Sequence, residues 1–123
     1  NQKRKVLCIE DEQFIGELYT RALTKSNYEI TVVASGKEGL EKARSNTYDI
    51  ILLDLMVPDL LGVDVLSDLR QSMPNLRAKV IVTTNLEQGK PAREKAEQQA
   101  DGYIIKAEVT PRQLVEYLDT LKI

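Results

Sequence analysis

Five short apolar runs, at residues 6–9, 30–33, 50–53, 80–82 and 103–105, alternate along the 123-residue chain with segments of helical period. A continuous apolar run closed by polar residues reads as a strand buried on both faces, since a half-exposed strand would alternate. Strand-then-helix alternation carried through the chain predicts one doubly wound α/β domain, a parallel sheet with helices on both faces. No long linker, low-complexity tract or internal repeat interrupts it, so residues 1–123 are expected to form a single domain.

The intervening segments carry helix signals of unequal quality. In the first, Ile15, Leu18, Ala22 and Leu23 make an apolar stripe to lay on the sheet, with Glu17 and Arg21 on other faces. The second opens with a capping box, Ser35-Gly36-Lys37-Glu38, and turns Leu40 and Ala43 inward. A third is expected over 63–72, held by Leu66 and Leu69 and stopped by Pro74, with Gly62 easing the turn into it. The fourth, "KPAREKAEQQA" at 90–100, offers only Ala92, Ala96 and Ala100 as an inner face. It must therefore lie very close to the sheet or pack weakly and move. The last starts with the capping box Thr110-Pro111-Arg112-Gln113 and buries Leu114, Leu118 and Leu121.

Parallel strands joined by helices point one way, so the residues just after each strand collect on one rim. Here they are Glu10, Asp11 and Glu12 after the first run, Asp54 after the third, Thr83 and Thr84 after the fourth, and Lys106 after the fifth. An unpaired buried carboxylate costs several kcal/mol or more, so Asp54 must end its strand facing water, a cation or both. Clustered carboxylates repel unless a cation joins them, and hard oxygen donors in an open site suit Mg2+. The acids at 10–12 also suit the first turn of a helix, where Glu12 is the expected structural member.

Composition removes other classes. The chain is 42% hydrophobic and 29% charged with net charge −2, which gives no field to gather nucleic acid, and Lys3-Arg4-Lys5 is read as a solvated lead-in to the first strand. Nothing approaches the roughly 18 apolar residues of a membrane span, and no signal-peptide pattern opens the chain, which is expected in the cytoplasm. The single cysteine, Cys8, lies between Leu7 and Ile9 and is expected to be an inert core residue. Gly89-Lys90 is not a phosphate loop, because Thr84 stands at the first glycine position and Pro91 where Ser or Thr should follow.

Four segments in order, "VLCIEDE", "DIILLDLMVPDLLG", "KVIVTT" and "ADGYIIK", resemble the receiver domain of bacterial two-component response regulators over essentially the whole chain. The resemblance implies a flavodoxin-like (βα)5 fold with strand order 2-1-3-4-5; a chemotaxis receiver is a standing example of that order. It implies that Asp54 accepts a phosphoryl group from a partner histidine kinase or histidine phosphotransfer protein, or from a small phosphodonor. Mg2+ would be held by Asp11, Asp54 and the backbone carbonyl of Met56, with Glu10 joining directly or through water. Lys106 would bridge Asp54 and later the phosphate, and Thr83 would bond a phosphoryl oxygen. Thr83 and Tyr103 would form the switch, read out on the fourth helix, fifth strand and last helix by an effector protein or output domain, with a homodimer through the same face. Neither an enzyme of external substrates nor a nucleic-acid or membrane contact is implied, beyond self-phosphorylation and slow autodephosphorylation. With no histidine in the chain, the phosphohistidine must be another molecule's.

The sequence departs from the family pattern in places. Glu10 stands where Asp is commoner, Val57 where methionine is, Leu61 where a polar residue is, and Ala107 where proline follows the lysine. The Lys106-Ala107 peptide is thus either trans, shifting the next loop, or cis at about 2.5 to 4 kcal/mol. By the same resemblance, Thr84, Asn85 and Met56 would line the rim where the family sets how readily water attacks the phosphoaspartate. Two rival readings are a degenerate receiver binding partners without phosphorylation, which would have lost an acid or the lysine, and a flavodoxin-like cofactor binder, which would want glycine or hydroxyls in place of "IEDEQF". The chain reads as either a stand-alone receiver or one cut from a longer chain, with Asn1 in place of a methionine leaning towards a fragment or a processed form.

Overall fold

The computed structural model describes residues 3–56, 59, 62–85 and 90–123. Strands β1 (Arg4–Ile9), β2 (Tyr28–Val33), β3 (Ile50–Asp54), β4 (Lys79–Thr84) and β5 (Gly102–Ile105) alternate with helices α1 (Gln13–Lys25), α2 (Gly36–Ala43), α3 (Gly62–Ser72), α4 (Lys90–Gln99) and α5 (Pro111–Asp119). All pairings are parallel and the order is β2-β1-β3-β4-β5, as the resemblance implied. Each expected run lies within its strand, and most strands extend further.

Alternation along the central strands feeds two cores. Leu7, Ile9, Ile51, Leu53, Val80 and Val82 face α2, α3 and α4, whose Ala43, Val65, Leu66, Leu69 and Ala96 complete that side. Val6, Cys8, Ile50, Leu52, Ile81 and Ile104 face α1 and α5, meeting Tyr19, Leu23, Leu114, Val115 and Leu118. Cys8 is buried, and desolvation pushes its thiol pKa up, so it is the inert core residue expected.

Helix orientation departs from expectation in three places. On α1 the buried residues are Gly16, Tyr19 and Leu23, while Leu18 turns partly out toward α5. A Cβ on Gly16 would sit 3.2 Å from a Val32 methyl, so glycine sets how near α1 lies to β2. On α2 the inner face includes Gly39 above Ile9, a glycine the apolar pattern passed over. Only half of its capping box forms: Ser35 Oγ accepts from Glu38 N at 3.2 Å, and no reciprocal bond returns to the Ser35 backbone. The α5 box is complete, and the helix stops at Asp119, so Leu121 packs from beyond its end. Of the α4 alanines, Ala96 is fully buried and Ala100 partly so; the side chain of Ala92 lies outside the described residues.

The charged lead-in is solvated only in part: Lys3 is exposed, as expected. Arg4 and Lys5 begin β1 and are half-buried; Arg4 donates to Leu121 O at 3.4 Å, and Lys5 Nζ sits 5.3 Å from the Tyr48 ring centre. Two aspartates fasten the opposite edge of the sheet from the acidic rim. Asp49, just before β3, accepts from Lys5 N at 2.8 Å and pairs with Arg77 at 2.7 Å. Asp101, just before β5, accepts from Val80 N at 2.8 Å and pairs with Arg70 at 3.1 Å. The Lys106-Ala107 peptide is trans, and a 3-10 turn over Lys106–Glu108 leads into α5.

Candidate functional site

The rim the alternation called for is present. Glu10 follows β1, its backbone N–H bonded to Val33 O at 2.9 Å, and its side chain is buried. Asp54 closes β3 in register with Thr83 of β4, and both are buried, at 3% and 2% exposure. Lys106, the first residue after β5, extends its ammonium between two acids: Nζ donates to Glu10 Oε1 and lies 3.1 Å from Asp54 Oδ2. Asp11 is exposed, and one carboxylate oxygen from each of Glu10, Asp11 and Asp54 lies within 4.8 Å of the others.

Burial is the largest single influence on both Glu10 and Lys106, but it drives the shift only at Glu10. Desolvation pushes Glu10 up to about 7 against the opposing pull of its hydrogen bond to Lys106, and the nearby charge of Asp54 adds to the rise. For Lys106 burial works against the charged form, but the bond to Glu10 and the charges of Asp54 and Glu10 together outweigh it and hold the ammonium above its ordinary pKa. At neutral pH the site therefore holds a fixed cation beside Glu10, whose carboxyl is close to its titration midpoint. All its acidic donors are hard oxygens. At a bond of ~2.1 Å, donors on an Mg2+ octahedron lie about 3.0 Å apart when adjacent and about 4.2 Å when opposite, so carboxylate oxygens all within 4.8 Å of one another are close enough to converge on such an ion.

Remaining rim residues are placed unevenly. Met56 is exposed and its N–H donates to Asp54 Oδ1 at 2.9 Å. Thr84 is buried and, by strand alternation, on the opposite sheet face from Thr83. Tyr103 pairs in register with Val82, so it too shares neither face nor contact row with Thr83; its ring lies under Arg93 of α4, whose guanidinium carbon is 4.9 Å from the ring centre. The acids at 10–12 precede α1: Glu12 is its N-cap position without a side-chain cap, and its N–H instead donates to Glu10 Oε2 at 3.1 Å. Val57, Pro58, Leu61 and Gly89 lie outside the described residues.

A family model described as the response regulator receiver domain matches residues 6–119. The chain belongs to the response regulator receiver family. Among curated relatives, the response regulator ArlR of Staphylococcus saprophyticus is 38% identical to this receiver over 102 residues, 83% of this chain and 45% of that protein. ArlR of Staphylococcus aureus is 39% identical over 67 residues, 54% and 31% of the two chains. The receiver thus spans less than half the length of these relatives. Among solved structures, a CheY-like receiver domain protein from Methanospirillum hungatei superposes with TM-score 0.85 at 26% identity, covering 96% of this chain and 92% of that one. TrrA from Thermotoga maritima, a response regulator crystallised in complex with Mg(2+)-BeF, superposes with TM-score 0.83 at 28% identity, covering 97% and 99%.

Sequence reasoning missed three contacts of the receiver. The Glu10–Lys106 bond uses a glutamate whose extra methylene was legible only as a longer reach toward a metal, not toward Lys106. Arg93 over Tyr103 joins residues ten apart on different elements, with no local periodicity to betray it. Asp59 accepts from Gly36 N and Lys37 N at the start of α2, a pairing across 23 residues of which only the two ends, an acid in a loop and a helix N-terminus, were legible.

Proposed function

We propose that residues 1–123 act as a phosphoryl-accepting receiver domain in which Asp54 is the nucleophile. The observation that carries the reading is a strand-end carboxylate, buried, with a lysine ammonium 3.1 Å away and two further carboxylates beside it. A carboxylate oxygen of Asp54 attacks the phosphorus of a phosphohistidine on a histidine kinase or histidine phosphotransfer protein; the P–N bond breaks and the imidazole leaves with the bonding pair. Phosphoryl transfer asks the protein for position and charge neutralisation more than for covalent help. Lys106 supplies a fixed positive charge to the transferring oxygens, and Thr83, in register with Asp54, offers a hydroxyl to one of them. Asp11, Asp54 and the Met56 carbonyl would hold Mg2+, with Glu10 at the margin because both its oxygens already accept hydrogen bonds. When bound, that ion supplies charge neutralisation and orientation to the phosphoryl oxygens.

The absence of histidine from all 123 residues requires a donor outside them. The α4, β5 and α5 face acts as the readout to an effector or output domain and as the surface for a homodimer; Thr83 and Tyr103, the switch pair the resemblance implies, lie on opposite sheet faces, so a switch between them has to run through strands β4 and β5 and not through direct contact. No helix among the described residues is long and apolar enough to cross a membrane, in keeping with a cytoplasmic setting. Catalysis extends no further than self-phosphorylation and slow loss of the phosphoryl group. Intact mass after incubation with acetyl phosphate and Mg2+ tests the reading. One phosphoryl group should be gained by the wild type, abolished by chelation and by Asp54→Asn; equal gain in the variant would remove Asp54 from the role.

A further inference from the structure

Two buried carboxylates share the Lys106 ammonium, and both are aimed at it in the same way. Asp54 gives Oδ2 to Lys106 Nζ at 3.1 Å and with Oδ1 accepts from Met56 N, two residues on, at 2.9 Å. Glu10 gives Oε1 to the same nitrogen and with Oε2 accepts from Glu12 N, again two residues on, at 3.1 Å. Each acid has one oxygen on the ammonium and the other on its own backbone, a local turn that fixes where the carboxylate points. The Glu10 backbone is itself held, its N–H on Val33 O at 2.9 Å.

Lysine is the movable member of the trio, a compact point charge on a flexible stem, so its place after β5 does not by itself settle where the ammonium lies. One acid would leave it free to circle that acid. Two acids on adjacent strands, Glu10 following β1 and Asp54 ending β3, pin it between them. The side chains of Glu10, Asp54 and Lys106 are 1%, 5% and 4% exposed, so water cannot stand in for either acid. Asp11 is different: it is exposed and accepts no hydrogen bond among the described residues, so its oxygens are open to an ion while those of Glu10 are committed. We propose that Glu10 is a positioning residue for Lys106, acting through the ammonium and not through the metal: it holds that charge beside Asp54, where the oxygens of a transferred phosphoryl group have to be met. The functional half of this role rests on the phosphoryl-accepting reading of Asp54; the hold of Glu10 on Lys106 does not.

The experiment compares the wild type with Glu10→Gln, which keeps the length of the arm and loses its charge, and with Asp11→Asn as the measure of a lost metal ligand. Three readouts are taken: Mn2+ uptake, from the electron-spin-resonance signal of the free ion; the Lys106 ammonium resonance in metal-free protein carrying isotope-labelled lysine; and the rate of phosphorylation by acetyl phosphate as Mg2+ is varied, followed by intact mass. An ammonium buried between two acids should give a slowly exchanging signal in the wild type. Glu10→Gln is expected to abolish that signal and to slow phosphorylation at saturating Mg2+ roughly ten-fold, as loss of a group that orients another does. It should weaken Mn2+ uptake far less than Asp11→Asn, and leave the Mg2+ concentration for half the maximal rate near that of the wild type. An unchanged ammonium signal in Glu10→Gln, or a loss of Mn2+ affinity equal to that of Asp11→Asn, would overturn the proposal. Should Glu10→Gln not fold, Glu10→Asp, one methylene short of the ammonium, is also expected to lose the slow signal, and a wild-type signal in it would count against the hold. If the wild type takes up neither Mn2+ nor a phosphoryl group while the ammonium signal is still lost in Glu10→Gln, the phosphoryl-accepting reading fails and the hold of Glu10 on Lys106 stands.

Discussion

Lys106→Met keeps the long apolar stem and deletes the ammonium that lies between Glu10 and Asp54. The side chains of Lys106, Glu10 and Asp54 are 4%, 1% and 5% exposed, so solvent cannot take over the screening. Two unit charges at the 4.8 Å limit of the carboxylate cluster repel by about 3 kcal/mol at an effective dielectric of ~20. Removing one member of a buried ion pair ordinarily costs about 3 to 5 kcal/mol. Glu10 offers an escape, because its carboxyl already titrates near 7 and rises further without the ammonium. At pH 8 the proton is scarce and the variant should lose about 4 kcal/mol; at pH 6 Glu10 is neutral and the loss should fall to about 2 kcal/mol.

Urea unfolding in chelator reads this directly. With a slope of ~2 kcal/mol per molar, the midpoint should drop by about 2 M at pH 8 and about 1 M at pH 6. Addition of about 10 mM Mg2+ should recover part of the deficit at pH 8, since an ion that binds only the folded state stabilises by mass action. Equal drops at both pH values, unaffected by Mg2+, would show the loss to be one of packing and would refute the charge argument.

In the metal-free wild type, the Glu10 pKa of about 7 lies above its ordinary value of 4.5, so its contribution to stability is complete below pH 4.5 and is lost as pH rises through about 7. The urea midpoint should therefore fall between pH 5 and 8 and flatten in Glu10→Gln, a clean window because no histidine titrates in it; a slope that survives the substitution would exclude Glu10 as its source. Gly39→Ala should destabilise by about 1 to 3 kcal/mol in thermal melts despite alanine's better helix propensity, because the added Cβ would meet Ile9 Cγ1 at 2.7 Å; a gain in stability would mean that α2 stands farther from β1. Arg93→Ala should cost about 0.5 to 1 kcal/mol and shift the Tyr103 ring resonances, and unmoved resonances would show that the stacked contact is not kept in solution.

How much was legible in the sequence follows the range of the interaction. Strand positions and the acidic rim were readable because burial on both faces leaves an unbroken apolar run, and parallel topology then fixes what stands after it. The inner face of α1 was misread because Gly16 and Tyr19 face the sheet in place of Leu18: a pattern search weights the aliphatic leucine, while the sheet selects for close approach at Gly16 and a large ring at Tyr19. Lys5 was expected in solvent because a charge run looks solvated, yet its N–H serves Asp49 and its ammonium rests against Tyr48. Glu10 was read only against the metal. Its bond to Lys106 crosses 96 residues of sequence, and nothing local encodes a partner at that separation.

Glutamate at position 10 bears on how the Lys106 ammonium is held. One more methylene than aspartate brings Oε1 to Lys106, while Oε2 takes the N–H of Glu12 at the mouth of α1. Lys106, growing from the end of β5, is thereby tied to β1 and β3 at once, across the intervening β4. A change of charge at Asp54 would bear on both of those bonds and, through Lys106, on the end of β5. Three residues back along that strand is Tyr103, whose ring carries Arg93 of α4, and α4 is held at its far end by Arg70 Nε on Gln99 O at 2.7 Å. Arg93 thus joins α4 to the strand that leads into the lysine, beside the packing of Ala96 into the core on the same side of the sheet. Glu10→Asp separates this account from a purely metal-centred one. Shortening the arm should release Lys106 toward Asp54 and shift the Tyr103 ring resonances without any metal present, whereas a metal-centred role for residue 10 would leave those resonances where they are until a divalent ion is added.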